Sequence, residues 1–569
     1  MATSAIIKRR FVKVGDRHVH YRRAGSGSPI VLIHPGIAHS AYLMPLIQRL
    51  SETYTCFAFD NPGYGNSDAL PGPDVSIADI AEALAATLCV MKFPKVPIFG
   101  THTGAAVGLE LAVRHPDLVS GVYLDGVPMF TPEETRALFD NNYAPPLIID
   151  PLGGHFASTW TRLRDQATFY PWYSRNPDDL FPVEIAAPPE AIHKSLCYFF
   201  CAAKIYAGPF LAAHTFGEIA AERILALDVP AVIAYASNDN LIKHIDRVPP
   251  LKPVQTLARL GSGVDEKTVL IDRTLHSFAT GAAAPPDAET LPSRLGTDRQ
   301  FIDLPTDQIL VRSCGAPDSP AIILLHDAPG SSLTLEPLVA ALGLHHRVHA
   351  LDLPGCGESD ALPGGAPTLS DYAQAVKAAC QVLSLEEITL YGTGFGASIA
   401  IELARDPALA IKGLVLHGVL LPAHDERTDM RANYAPPIAI DSTGSHWYRV
   451  WQMLRDSLVY FPWYNRTGPG LRKIAADFDG DRLHNWTFEV VKQLHAYHHV
   501  IDAALDHAAG AALRDVTAPT LVLRDPSHPF ARYDAQLPAL IRNGTHKDLP
   551  RDVSAQAAAI RRFLSPESL

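Results

Sequence analysis

The chain has 569 residues, 47% hydrophobic and 19% charged, with a formal net charge of -12 at pH 7. That length exceeds what one core serves and predicts two large units, and the absence of long polar or single-sign runs excludes a disordered chain. An acidic balance excludes duplex nucleic acid as a partner, because such a partner demands a basic face.

In chain order, the amino-terminal stretch "MATSAIIKRRFVKVGDRHVHY" has no apolar segment leading into a small-residue cleavage site, and no window offers about 18 uninterrupted apolar residues. A cytoplasmic chain that does not enter a membrane is expected. Cys56, Cys89, Cys197, Cys201, Cys314, Cys356 and Cys380 are scattered and read as reduced thiols. Apolar strand-like runs fall at residues 11–14, 19–22, 30–34, 55–59, 96–99, 119–124, 231–235 and 268–271. Runs such as "IVLI" and "GVYL" are apolar on both faces, which predicts a mostly parallel sheet covered by helices on each side. Residues about 130–227 are rich in aromatics and helical in period, and predict a lid over the carboxyl edge of the sheet, where open α/β sheets bind ligands.

The whole pattern then recurs. "DNPGYGNSDALPG" from Asp60 returns as "DLPGCGESDALPG" from Asp352, and "VPIFGTHTGAAVGLELAVRHP" returns as "ITLYGTGFGASIAIELARDP". The chain is a duplicated unit of roughly 290 residues. The expected organisation is a first unit at 1–280, a linker at 281–298 rich in Ala, Pro and polar residues, and a second unit at 299–569 with its own cap at about 422–515.

These motifs resemble the α/β-hydrolase fold: "VLIHPG" after the third strand, "DNPGYGNSD" after the fourth, a small-x-apex-x-Gly elbow after the fifth, and a helical cap before the seventh, once in each half. The resemblance implies an α/β chain of two tandem units. It also implies a serine at the elbow, an acid after the sixth or seventh strand, and a histidine after the last strand. Neither elbow carries serine. In the first half the corresponding positions are His102 at the apex, Asp239 as acid with Asp125 as the alternative, and His276 after the last strand, with the amides of Gly36 and Thr103 forming the oxyanion hole. In the second half they are Gly394, His528 and His417, with no final histidine, so this half is expected to be non-catalytic.

Cap residues shared by both halves include Tyr143, His155, Trp160, Trp172 and Tyr173 of the first, matched by Tyr434, His446, Trp451, Trp463 and Tyr464. They read as cap architecture and, alternatively, as substrate-binding groups. Neither "GTHTG" nor "GTGFG" fits a dinucleotide fingerprint, so no cofactor is expected. The expected function is a His/Asp/His site without serine, acting on a small carbonyl compound by ester, lactone or C–C hydrolysis, or by lyase or isomerase chemistry. The alternatives are a pseudoenzyme that binds a ligand without turnover, and a two-histidine, one-carboxylate metal site. Partners are expected to be a small molecule and the fused second half as an intramolecular pseudo-dimer, with further homo-oligomerisation left open.

Overall fold

The computed structural model describes residues 6–72, 74–181, 187–202, 207–285, 287 and 297–564. The chain divides into two compact units, Met1–Ile148 with His155–Thr290, and Ile149–Gly154 with Leu291–Leu569. Within the expected linker, residues 286 and 288–296 lie outside the described residues. Asp287 belongs to the first unit, where its carboxylate accepts from Arg23 Nη1 at 2.8 Å and Arg10 Nε at 3.3 Å. Asp298, expected to end the linker, begins a strand instead.

The first unit's strands are β1 (Lys8–Val14), β2 (Arg17–Ala24), β3 (Pro29–Ile33), β4 (Thr55–Phe59), β5 (Val96–Thr101), β6 (Val119–Asp125), β7 (Ala231–Ala236) and β8 (Gln255–Leu260). They pair in the order β1-β2-β4-β3-β5-β6-β7-β8, antiparallel for β1·β2 and β2·β4 and parallel from there on. The second unit repeats this with β9 (Asp298–Asp303), β10 (Gln308–Cys314), β11 (Ala321–Leu325), β12 (Arg347–Leu351), β13 (Glu387–Thr393), β14 (Ala410–His417), β15 (Thr520–Arg524) and β16 (Gly544–Asp548). Its order is β16-β15-β14-β13-β11-β12-β10-β9.

Runs apolar on both faces feed two cores per sheet. Along β3, Val31 and Ile33 enter one apolar cluster while Ile30 and Leu32 enter another on the opposite face, as the two-residue period of a strand requires. Ile323 with Leu325 and Ile322 with Leu324 divide in the same way in the second unit. Between β6 and β7 the described residues form cap helices, among them Gly154–Gln166 and Pro189–Cys201, and the second cap has counterparts such as Ser445–Ser457. No helix among the described residues is long and apolar enough to cross a membrane.

One strand expectation is corrected. Residues 268–271 lie inside the helix Val264–Phe278, and the last strand is β8, ten or so residues earlier. Val264 follows Gly263, and Asp265 and Glu266 sit in the first turn, where carboxylates favour a helix start. β8 lies at the sheet edge with four of its six residues partly or fully exposed, so it lacks the apolar run by which buried strands announce themselves.

Candidate functional site

β5 ends at Thr101, and the helix Thr103–Arg114 begins two residues later, leaving His102 to turn the chain alone at φ 50°, ψ -114°. Side-chain-bearing residues rarely adopt this conformation, which costs on the order of 1–3 kcal/mol. The turn is held by His102 N–H donating to the Asp125 carbonyl at 2.8 Å. Its tightness requires glycines on both flanks: a Cβ on Gly100 would stand 2.1 Å from Gly104 O, and one on Gly104 would stand 2.3 Å from Ile33 O.

The apex side chain meets the loop after β7. His102 Nε2 lies 2.8 Å from Asp239 Oδ2, and Asp239 Oδ1 accepts from Leu241 N–H at 2.8 Å. Burial works to raise the Asp239 carboxyl, but the facing imidazole and the Leu241 amide bring it down to about 2. For His102 burial works downward, and the Asp239 charge and hydrogen bond outweigh it, so its pKa stands above the ordinary 6.5. With Nε2–H given to Asp239, Nδ1 carries the free lone pair. Gly126 leaves room for the pair, since a Cβ there would lie 2.7 Å from His102 Cδ2 and 2.9 Å from Asp239 Oδ2.

Asp125, the alternative acid, is engaged elsewhere. Its Oδ2 accepts from Thr101 Oγ1 at 3.1 Å and receives Lys267 Nζ at 2.6 Å. Burial lowers the Lys267 ammonium and Asp125 more than restores it, leaving it raised. Lys267 sits in the first turn of the helix Val264–Phe278, so this helix begins beside the site. His276 follows nine residues later, about 13 Å along the axis, and is exposed in the last turn. The expected trio is therefore a pair, His102 with Asp239. His276 stands at the other end of the helix from Lys267, and among the described residues no group of three or more His, Cys, Asp or Glu side chains is placed to hold a metal.

Gly36 and Thr103 stand together, a Cβ on Gly36 lying 2.7 Å from Thr103 Oγ1. The loop carrying Gly36 is fixed by the two sequence motifs. His34 Nδ1–H donates to the Pro35 carbonyl at 2.8 Å while its Nε2 accepts from Asn61 N–H at 2.9 Å. The buried Asp60 carboxylate accepts from Ser40 N–H, Asn66 N–H and His20 Nδ1 at 2.7–2.9 Å.

A cavity of about 300 Å³ opens over this edge, lined by Gly36, His102 and Thr103 below and by Tyr143, Tyr170 and Phe210 among the groups above. Of the five expected substrate-binding residues only Tyr143 lines it. Trp172 donates its indole N–H to the Tyr143 carbonyl at 2.8 Å, as Trp463 does to Tyr434 in the repeat. Trp160 and His155 are buried within the cap, and the Tyr173 hydroxyl faces the Ala137 carbonyl at 3.4 Å. These four are cap architecture. Tyr170, one of the cap aromatics that pointed to an aromatic substrate, also lines the cavity; Tyr42, in the loop after β3, and Tyr198 and Phe210 of the cap line it too and were not singled out from the sequence, where aromatic residues give no sign of which face they take.

The second unit keeps the turn, with Gly394 at φ 56°, ψ -123°, but fills the site. Asp327, at the position of Pro35, turns its Oδ1 onto the amides of Phe395 and Ala328, 2.8 Å from each. A Cβ on Gly394 would stand 1.9 Å from that oxygen. Phe395 and Phe530 stand where the first unit has Thr103 and Leu241, and they pack on Tyr434 and Phe461 in the core. His417 and His528 are adjacent, ring centroids 4.8 Å apart.

A model of the alpha/beta hydrolase fold family matches residues 29–252 and 320–434, more than half of the chain and part of each unit. The chain belongs to the α/β-hydrolase fold family. It is 32% identical over 139 residues, 24% of its own length and 49% of the other's, to the 2-(acetamidomethylene)succinate hydrolase of Mesorhizobium japonicum. It is 26% identical over 134 residues, 23% and 42% of the two lengths, to the cis-3-alkyl-4-alkyloxetan-2-one decarboxylase of Shewanella oneidensis. The 2-hydroxy-6-oxo-6-(2'-aminophenyl)hexa-2,4-dienoic acid hydrolase of Metapseudomonas resinovorans matches at 33% over 121 residues, 21% and 41% of the two lengths. The matches span about half the length of these curated relatives. Set against this fold, the loop after β8, where the family design puts a histidine, reads Gly261-Ser262-Gly263 here, and Glu266 of the helix that follows accepts from the Gly261 amide at 3.2 Å.

Proposed function

We propose that the first unit is a cofactor-independent hydrolase of small carbonyl compounds, working by a His102–Asp239 dyad and water in place of an elbow serine. The observation that carries this reading is the 2.8 Å contact of His102 Nε2 with Asp239, which commits one ring nitrogen and leaves Nδ1 as the base on a side chain that lines the cavity. Nδ1 takes a proton from water as the hydroxide oxygen bonds to the carbonyl carbon. The C=O π electrons move to oxygen, where the amides of Gly36 and Thr103 receive the charge. The tetrahedral species collapses, the bond to the leaving group breaks, and the proton on Nδ1 goes to that group. Asp239 supports the transient imidazolium.

The relatives act as hydrolases and as a decarboxylase, and this supports either hydrolysis or C–C cleavage at the same carbonyl. The filled pocket and the Asp327 contacts support a non-catalytic second unit. The test is turnover of esters, lactones and β-diketones by the full chain and by His102→Ala. A reading of binding without catalysis predicts that no substrate in the panel is consumed.

A further inference from the structure

The two units hold the same pair of amides in two conditions. In the second, the N–H groups of Ala328 and Phe395 both donate to one carboxylate oxygen at 2.8 Å, and that carboxylate belongs to the chain itself, Asp327. In the first, proline at position 35 has no such group, and the matching amides of Gly36 and Thr103 border the cavity with no acceptor among the described residues. The second unit is thus a template of what this hole accepts: a carboxylate approaching from the side of the loop after the third strand.

We infer that the first unit binds a carboxylic acid anion with its carboxylate on the Gly36 and Thr103 amides, beside His102, and its apolar body among Tyr143, Tyr170 and Phe210. Two features favour the first hole over the second for a free ligand. The cavity of about 300 Å³ accommodates a phenylalkanoate-sized body, whereas Phe395 and Phe530 fill the equivalent space. His102 supplies a cation where Gly394 supplies none. That difference matters because the Asp327 carboxyl has beside it His528 Nε2 at 3.8 Å, an imidazole whose pKa burial lowers, and desolvation raises the carboxyl to about 6 in spite of its two amide bonds and the His417 charge. Charge-assisted hydrogen bonds are roughly twice as strong as neutral ones, so the anion is discriminated from a neutral isostere. The inference rests on the reading of Gly36 and Thr103 as the anion hole, and it makes the ligand an acid of the kind that hydrolysis of an ester there releases.

The experiment is calorimetric titration of the full chain with phenylacetate and with phenylacetamide, which share shape and differ in charge. Phenylacetate is expected to bind at least about tenfold more tightly, with one site per chain, and to weaken as pH rises and His102, faced by the charges of Asp239, Asp125 and Lys267, loses its proton. Pro35→Asp transplants the second unit's carboxylate and is expected to weaken phenylacetate at least about tenfold, while Pro35→Ala does not. Equal binding of acid and amide, no binding of either at millimolar concentration, or identical affinity in Pro35→Asp and Pro35→Ala overturns the inference. The acid-against-amide comparison needs no variant, so a Pro35→Asp chain that fails to fold leaves the test intact. Turnover is no part of the readout. A chain that selects the acid but hydrolyses no ester loses the catalytic reading alone, and one that hydrolyses esters but does not select the acid loses this inference alone.

Discussion

Asp327 occupies, with one carboxylate oxygen 2.8 Å from the Phe395 amide, the place where an elbow serine of the second unit would put its side chain. Gly394 is the consequence, since any Cβ there enters that carboxylate. Gly394→Ser is therefore expected to destabilise the chain by about 1–3 kcal/mol, the usual cost of overpacking, and to produce no esterase activity. Denaturant unfolding and turnover of an activated ester check it, and a stable, active variant would contradict the described site.

Asp327 also gives a stability prediction with a definite sign. Burial raises its carboxyl to about 6 against the pull of the Phe395 and Ala328 amides. A folded-state pKa above the ordinary 3.8 means the folded chain holds the proton more tightly. This contribution is complete below about pH 4 and is lost as pH rises through about 6. Asparagine keeps an oxygen for both amides and carries no charge. Asp327→Asn should melt with the wild type near pH 4 and above it near pH 7.5, a window set by the same two pKa values. An equal gap at both pH values would show that Asp327 titrates as an ordinary aspartate.

In the first unit, His102→Ala is expected to lose about 100-fold or more in turnover, the scale of a general base. His102→Ser should restore nothing, because the loop after β8 holds no histidine to activate a serine. His276→Ala should match the wild type, its side chain being exposed in the last turn of its helix. Loss of activity in His276→Ala would place that histidine in the site after all.

The pH profile follows from the raised His102 pKa. The base form is the neutral ring, so kcat/KM should rise with pH through one ionisation above 6.5. Asp239→Asn removes the charge that holds the proton on the ring, and the limb should move to lower pH as kcat falls about 100-fold. An unmoved limb would separate Asp239 from the titrating group.

Gly126→Ala tests the pair through its setting. The added methyl carbon would meet both partners, His102 Cδ2 at 2.7 Å and Asp239 Oδ2 at 2.9 Å, on backbone with φ 66°. Turnover should fall at least about tenfold, in keeping with catalysis lost to a misplacement of about 1 Å. Unchanged kinetics would mean that the His102–Asp239 distance does not govern the rate.

The sequence by itself determined the duplicated α/β architecture, the two elbows and the acid that meets His102. These rest on local requirements: strand runs apolar on both faces, and glycines at Gly100 and Gly104 where backbones touch. The position of the last strand was decided elsewhere. "TVLI" at 268–271 satisfies a strand and a helix equally in four residues, and it lies in a helix while the sheet edge is taken by β8, four of whose six residues are partly or fully exposed and which carries no apolar signature. That shift removed His276 from the site and brought Lys267 to Asp125. The carboxylate of Asp327 over its own amides was equally hidden, since its loop and the elbow are far apart in sequence and meet only when β11 and β13 pair side by side. Contacts set by local chemistry can be read along a chain; those between loops exist only once the sheet has fixed which strand ends are neighbours.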